Sequence, residues 1–157
     1  MYFPFLTCEV ECENSSLDIA DRQNAHSQTI LLKGLFHLFR LVGRESELHG
    51  IPNGFSFSHS DVNVQILAHY LVITDEKKPE YYQEPIAKFG IRKTVLGDHR
   101  WVAWTVTRNI LDLWVQDHFK LICSAIDMLP VNLNFLSEPQ PRDVDLISSH
   151  SRIGPAS

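Results

Sequence analysis

Residues 55–73, FSFSHSDVNVQILAHYLVI, decide the fold, because they alternate apolar and polar positions twice with a turn between. Phe55, Phe57 and His59 alternate with Ser56 and Ser58, and Ser60-Asp61 supplies the turn. Val62, Val64, Ile66 and Ala68 then alternate with Asn63, Gln65 and Leu67 before an apolar end at Leu71–Ile73. Alternation with period two places successive side chains on opposite faces of a strand, so the stretch predicts a β-hairpin. The charged stretch from Asp75 to Glu80 is a solvated turn, and residues 81–89 are a further strand.

On the N-terminal side, the stretch around Gly43–Gly54, with Pro52 and Asn53, reads as a loop that ends a long helix. That helix carries Ile19, Ile30, Leu31, Leu35, Leu38, Phe39 and Val42 at three- and four-residue spacing and runs to about Arg44. Ser15 or Ser16 is its expected N-cap, with Asp18 in capping-box position behind Ser15. Before it, residues 2–12, YFPFLTCEVEC, read as a strand after Pro4. Alternation gives Cys8, Val10 and Cys12 one face, taken as the core face, and gives Glu9 and Glu11 the other.

Toward the C-terminus, Gly97 and Asp98 precede a second long helix ended by Pro130. From Asn109 onward its pattern is Ile110, Trp114, His118, Ile122, Ala125 and Leu129. Residues 101–106, WVAWTV, suit strand or helix, and the expected start is about Thr107, with Asp98 as the earlier alternative. The order strand, helix, hairpin, strand, helix predicts an α/β (α+β) domain, one mixed sheet flanked by two long helices, over residues 1–130. Residues 131–157, with Pro139 and Pro141 and no sustained periodicity, read as a flexible tail.

Bulk properties narrow the function classes. A hydrophobic content of 44% supports a packed core. A net charge of -5 disfavours generic attraction to nucleic acid, which draws on basic surface to displace phosphate counterions. Three cysteines are too few, and odd in number, for a disulfide framework. No signal-peptide pattern opens the chain and no run approaches the roughly 18 apolar residues of a membrane span, so the expectation is an intracellular protein away from membranes.

The candidate chemistry lies in Glu9-x-Glu11, followed by a helix bearing Asp21, Arg22, Gln23 and His26. Hard divalent cations take carboxylate oxygens and retain waters, and such an ion polarises a phosphodiester and activates water. The bland alternative is that two solvated carboxylates protect an edge strand. Cys8 and Cys12 lack a second pair for a metal and read as buried small hydrophobes. His69 and His118 read as satisfied core histidines, and His26, on the Gln23 side of the helix, is the one histidine near the candidate site. Trp101, Trp104 and Trp114 read as core rather than as base-stacking platforms, and Lys77-Lys78 and Arg92-Lys93 as solvated loop charges.

The stretches PFLTCEVEC, LDIADRQNAHS, WVAWTVTRNILDLW and HFKLICSAIDMLP resemble a family of fungal proteins with a PD-(D/E)XK nuclease-like domain, over roughly residues 3–130. The resemblance implies a restriction-endonuclease-like mixed sheet and a divalent metal, Mg²⁺ or Mn²⁺, held by an acidic residue on one strand and an E-x-K pair on the next. Glu9 then matches the Glu of E-x-K and a metal ligand, and Gln23 matches the polar residue of the following helix. Glu11 stands where the family has Lys, which inverts the charge beside the phosphate; it is at most a substitute ligand. Only eight residues precede Glu9, so the resemblance further implies an N-terminally shortened domain. The expectation is therefore an incomplete or degenerate metal-dependent nuclease, a pseudo-enzyme, with a noncatalytic interaction module as the alternative. An exposed sheet edge would favour a protein partner or self-association.

Overall fold

The computed structural model describes residues 3–11, 17–93 and 97–130. Strand β1 (Leu6–Val10) leads into helix α1 (Asp18–Leu41). A short 3₁₀ turn (Glu45–Leu48) leads to β2 (Pro52–His59), β3 (Asn63–Ile73) and β4 (Pro79–Gly90). Helix α2 (Val102–Asn109) continues through a π-helical turn (Ile110–Trp114) into α3 (Val115–Ile126). The sheet order is β1-β2-β3-β4, with β1 parallel to β2 and the other neighbours antiparallel. A parallel pair demands a crossover, and α1 is that crossover. The expected mixed α+β architecture, with a hairpin at its centre, is what forms.

Two apolar clusters hold the layers together. Phe55, Phe57, Val64, Ile66 and Ala68 pack against Ile110 from the α2 side, with Ala103, Val106 and Trp114 at the margin. Leu31, Leu35, Phe36 and Phe39 of α1 pack with Leu48, Leu71 and, from α3, Ile122 and Ala125. The continuous helix 102–126 therefore closes both clusters with different residues along its length.

Several boundaries differ from expectation. Helix α1 begins at Asp18 after Leu17, and the serines expected to cap it lie outside the described residues. It stops at Leu41, short of Arg44, because Gly43 takes φ 69° and Arg44 turns back to donate to Glu47 and Ser124. Gly54, expected in a loop, belongs to β2 beside an irregularity in its pairing with β3. Residues 102–106 are helical, with α2 starting at Val102, because Ala103 and Val106 supply the face that meets the sheet.

The face assigned to β1 is reversed. Cys8 is exposed and Val10 is 62% exposed, whereas Glu9 is half-buried on the side of α1. The parallel crossover puts α1 over Thr7 and Glu9, and this polar side of β1 is the one the helix covers. Cys12 lies outside the described residues, as does the segment 131–157. Trp101 and Trp104, expected in the core, are 68% and 56% exposed; only Trp114 of the three meets the core. Among the described residues no helix is long and apolar enough to cross a membrane.

Candidate functional site

The N-terminal half of α1 lies on the sheet through polar groups and its C-terminal half through apolar ones. Asn24 and Gln28 sit one turn apart and are 0% exposed. Asn24 Nδ2 donates to the Phe57 carbonyl and to Ser58 Oγ, each at 3.0 Å. Gln28 Nε2 donates to the Phe55 carbonyl at 2.8 Å and to Thr7 Oγ1 at 3.1 Å. These bonds fix the register of the helix over the β1–β2 pair, because buried amides left unpaired cost about 1–3 kcal/mol each. One turn earlier, Asp21 Oδ2 accepts from Gln65 Nε2 at 3.1 Å.

Glu9, Ser58, Gln65 and Lys88 are successive partners across the four strands. Asn24 and Asp21 of α1 bond to the two central members of this row, and Glu9 occupies its β1 end. Glu9 there lines an open cleft of about 560 Å³ together with Ile19, Arg22, Gln23, His26 and Ser27. The structure thus brings Glu9 and Gln23 together, with His26 beside them. It also delivers a cation: Arg22, whose Nε donates back to the Asp18 carbonyl at 3.2 Å, lines the same cleft. Glu11 follows the parity of Glu9 along the strand, and its N–H donates to the His59 carbonyl at 2.8 Å. It does not line this cleft.

Among the described residues no three His, Cys, Asp or Glu side chains gather closely enough to hold a metal ion. Mg²⁺ and Mn²⁺ are commonly held by one or two carboxylates, with waters and substrate phosphates completing the shell, so Glu9 and Glu11 would supply only part of such an ion's ligands. Partial burial of its sulfur, and second the Glu9 charge, push the Cys8 thiol up from its ordinary value, which disfavours the nucleophilic thiolate.

Elsewhere, His69 accepts or donates one hydrogen bond, Nε2 to Ser56 Oγ at 2.8 Å, under α1. Burial pushes its pKa down to about 4. His118 stacks on Trp114 with ring centroids 4.2 Å apart, and burial likewise pushes it down to about 4. Its Nε2 has no hydrogen-bond partner among the described residues, so it is a buried histidine but not a satisfied one.

Asn24, Gln28, Ser58 and Gln65 escaped the sequence reading. The signal was present: positions 24 and 28 extend the stripe of Leu31, Leu32 and Leu35 backward along α1, so two amides occupy core positions of a helix. Polar residues on an apolar stripe mark a buried polar interface.

No curated protein matches the chain, and no solved structure does. Residues 1–126, most of the chain, match the domain of unknown function DUF7924, and the chain belongs to that family.

Proposed function

We propose that this chain is a PD-(D/E)XK nuclease-like domain whose cleft between β1 and α1 is a degenerate phosphodiester-cleaving centre. The observation that carries the reading is the meeting of Glu9 from a strand and Gln23 from the next helix in one cleft, across a parallel β-α-β unit. That pair corresponds to the Glu of E-x-K and the polar helix residue of the resemblance. Glu11 in the Lys position argues for degeneracy, because a second negative charge opposes approach of a phosphate. Arg22 places a cation in the cleft from the helix rather than from the strand. The cleft therefore has groups for orienting a phosphate, while Glu11 stands where the resemblance sets the Lys that would assist its hydrolysis.

The second reading, a noncatalytic interaction module, is favoured by surface rather than cleft. Trp101, Trp104, Leu113 and Phe119 are large apolar side chains left exposed along the α2–α3 helix. The net charge of -5 also sits better with a protein partner than with nucleic acid.

Calorimetric titration with Mn²⁺ tests the first reading. Binding on the order of 1 mM or weaker, and weaker still in Glu9→Ala, is the expected result. Tight binding that ignores Glu9→Ala would place the ion elsewhere and remove the cleft from consideration.

A further inference from the structure

The two edges of the sheet are built differently. Strand β4 carries Pro79, Pro85, Glu80, Glu84 and Lys88 and an irregular pairing with β3, all devices that discourage a further strand. Strand β1 carries no proline or lysine, and among the described residues only β2 pairs with it.

Backbone parity shows what this second edge presents. The Phe5 carbonyl accepts from the Phe55 N–H, and the Glu11 N–H donates to the His59 carbonyl, each at 2.8 Å. Odd-numbered residues of β1 therefore turn their peptide groups toward β2, and Leu6, Cys8 and Val10 turn theirs outward. The sequence of the strand, Leu6-Thr7-Cys8-Glu9-Val10, is palindromic in polarity about Cys8.

We propose that two copies of this chain join edge to edge through antiparallel β1 strands, with a two-fold axis at Cys8. In that register the N–H and C=O of Leu6 meet those of Val10 in the second copy, Cys8 meets Cys8, and Val10 meets Leu6. All three outward residues find partners. Side chains pair like with like, since Thr7 lies opposite Glu9 and no two carboxylates face each other directly.

A second, independent observation fits the same axis. Ile19 and Ile30 of α1 are 43% and 59% exposed and lie three helical turns apart on one line with Gln23 and His26. Ile19, Gln23 and His26 line the cleft with Glu9, so this line is the flank of α1 that looks over the open edge. Because α1 rests on both β1 and β2, two-fold pairing sets the two α1 axes about two strand spacings, roughly 10 Å, apart. That is a helix-packing distance. The dimer brings the two clefts together at the interface, which restricts a polymeric substrate; the inference itself stands without the nuclease reading.

The test uses the whole chain and reads mass by light scattering at about 0.1–1 mM, the range a small interface demands. Wild type is expected to approach twice the chain mass. Cys8→Lys and Cys8→Glu each place like charges opposite across the axis, and each is expected to remain a monomer. Their equimolar mixture restores the dimer. Cys8 is exposed, so both variants keep the fold, checked by an unchanged circular dichroism spectrum and melting curve. Ile30→Glu on α1 is expected to weaken the wild-type dimer at least tenfold. A monomeric wild type overturns the proposal. So does a dimer that persists in both single Cys8 variants, or a mixture that stays monomeric.

Discussion

Gln28 fills the space beside the Gly54 Cα where any other residue would put a β-carbon. A carbon built there collides with Gln28 Oε1 and comes within 2.9 Å of Leu31 Cδ2. Glycine in a strand normally costs stability, and replacing it with alanine normally gains about 0.5–1 kcal/mol. Here the sign reverses, because Gln28 is held by the Phe55 carbonyl and Thr7 and has no free space to retreat into. Gly54→Ala is expected to cost about 1–3 kcal/mol in urea denaturation. The double variant Gly54→Ala/Gln28→Ala is expected to cost less than the sum of the singles, since the second change removes the obstacle to the first.

Asn24 has the same kind of role without the steric partner. Asn24→Ala removes the donor to the Phe57 carbonyl and Ser58 Oγ at a site with no solvent, and is expected to cost about 1–3 kcal/mol. Gln23→Ala, one residue away on the exposed side, is expected to stay within about 0.5 kcal/mol of wild type. Parallel denaturation curves check the contrast, which separates the residue that positions the helix from the residue that lines the cleft.

Acid sensitivity follows from His69 and His118. Both titrate near 4 in the folded protein, below the ordinary value of 6.5, because burial disfavours the imidazolium. The unfolded chain therefore binds more protons between those two values, and stability falls as pH drops through that window. At pH 5 each histidine costs about 2 kcal/mol relative to pH 7 and above. Denaturation midpoints measured from pH 7.5 to 4.5 check this, and His69→Gln is expected to flatten the profile by about half the slope.

The three tryptophans divide by environment. Trp114 contacts Phe55 edge-on at 4.9 Å and stacks on His118, whereas Trp101 and Trp104 stand in solvent. The variant Trp101→Phe/Trp104→Phe is expected to leave a blue-shifted emission that iodide quenches poorly. A red-shifted, readily quenched residual emission would contradict the position of Trp114.

The hairpin and the two long helices were legible from apolar positions of fixed period, even though β2 and β3 are buried on both faces. Strand β1 was legible as a strand but its covered face was not, because alternation fixes which residues share a face and not which face is covered, and Cys8 and Val10 turned out to be exposed. The tryptophans misled in the same way, since aromatic content in an amphipathic helix does not say which stripe meets the sheet. At the site, Glu9 and Gln23 were picked out from the strand and the helix that follows it, were given roles by the resemblance, and meet in the cleft. The amides beneath α1 were missed because a polar residue in a helix reads as surface unless its place on the apolar stripe is counted.

The central claim, a nuclease-like cleft made degenerate by Glu11, is tested most directly by a cleavage assay with Mn²⁺ on plasmid and single-stranded DNA. Wild type, Glu11→Lys and Glu9→Ala/Glu11→Lys are run side by side. The account predicts no cleavage by wild type, cleavage by Glu11→Lys, and its loss again when Glu9 is removed. Cleavage by wild type, cleavage by Glu11→Lys that survives the added Glu9→Ala, or silence from all three proteins would contradict it.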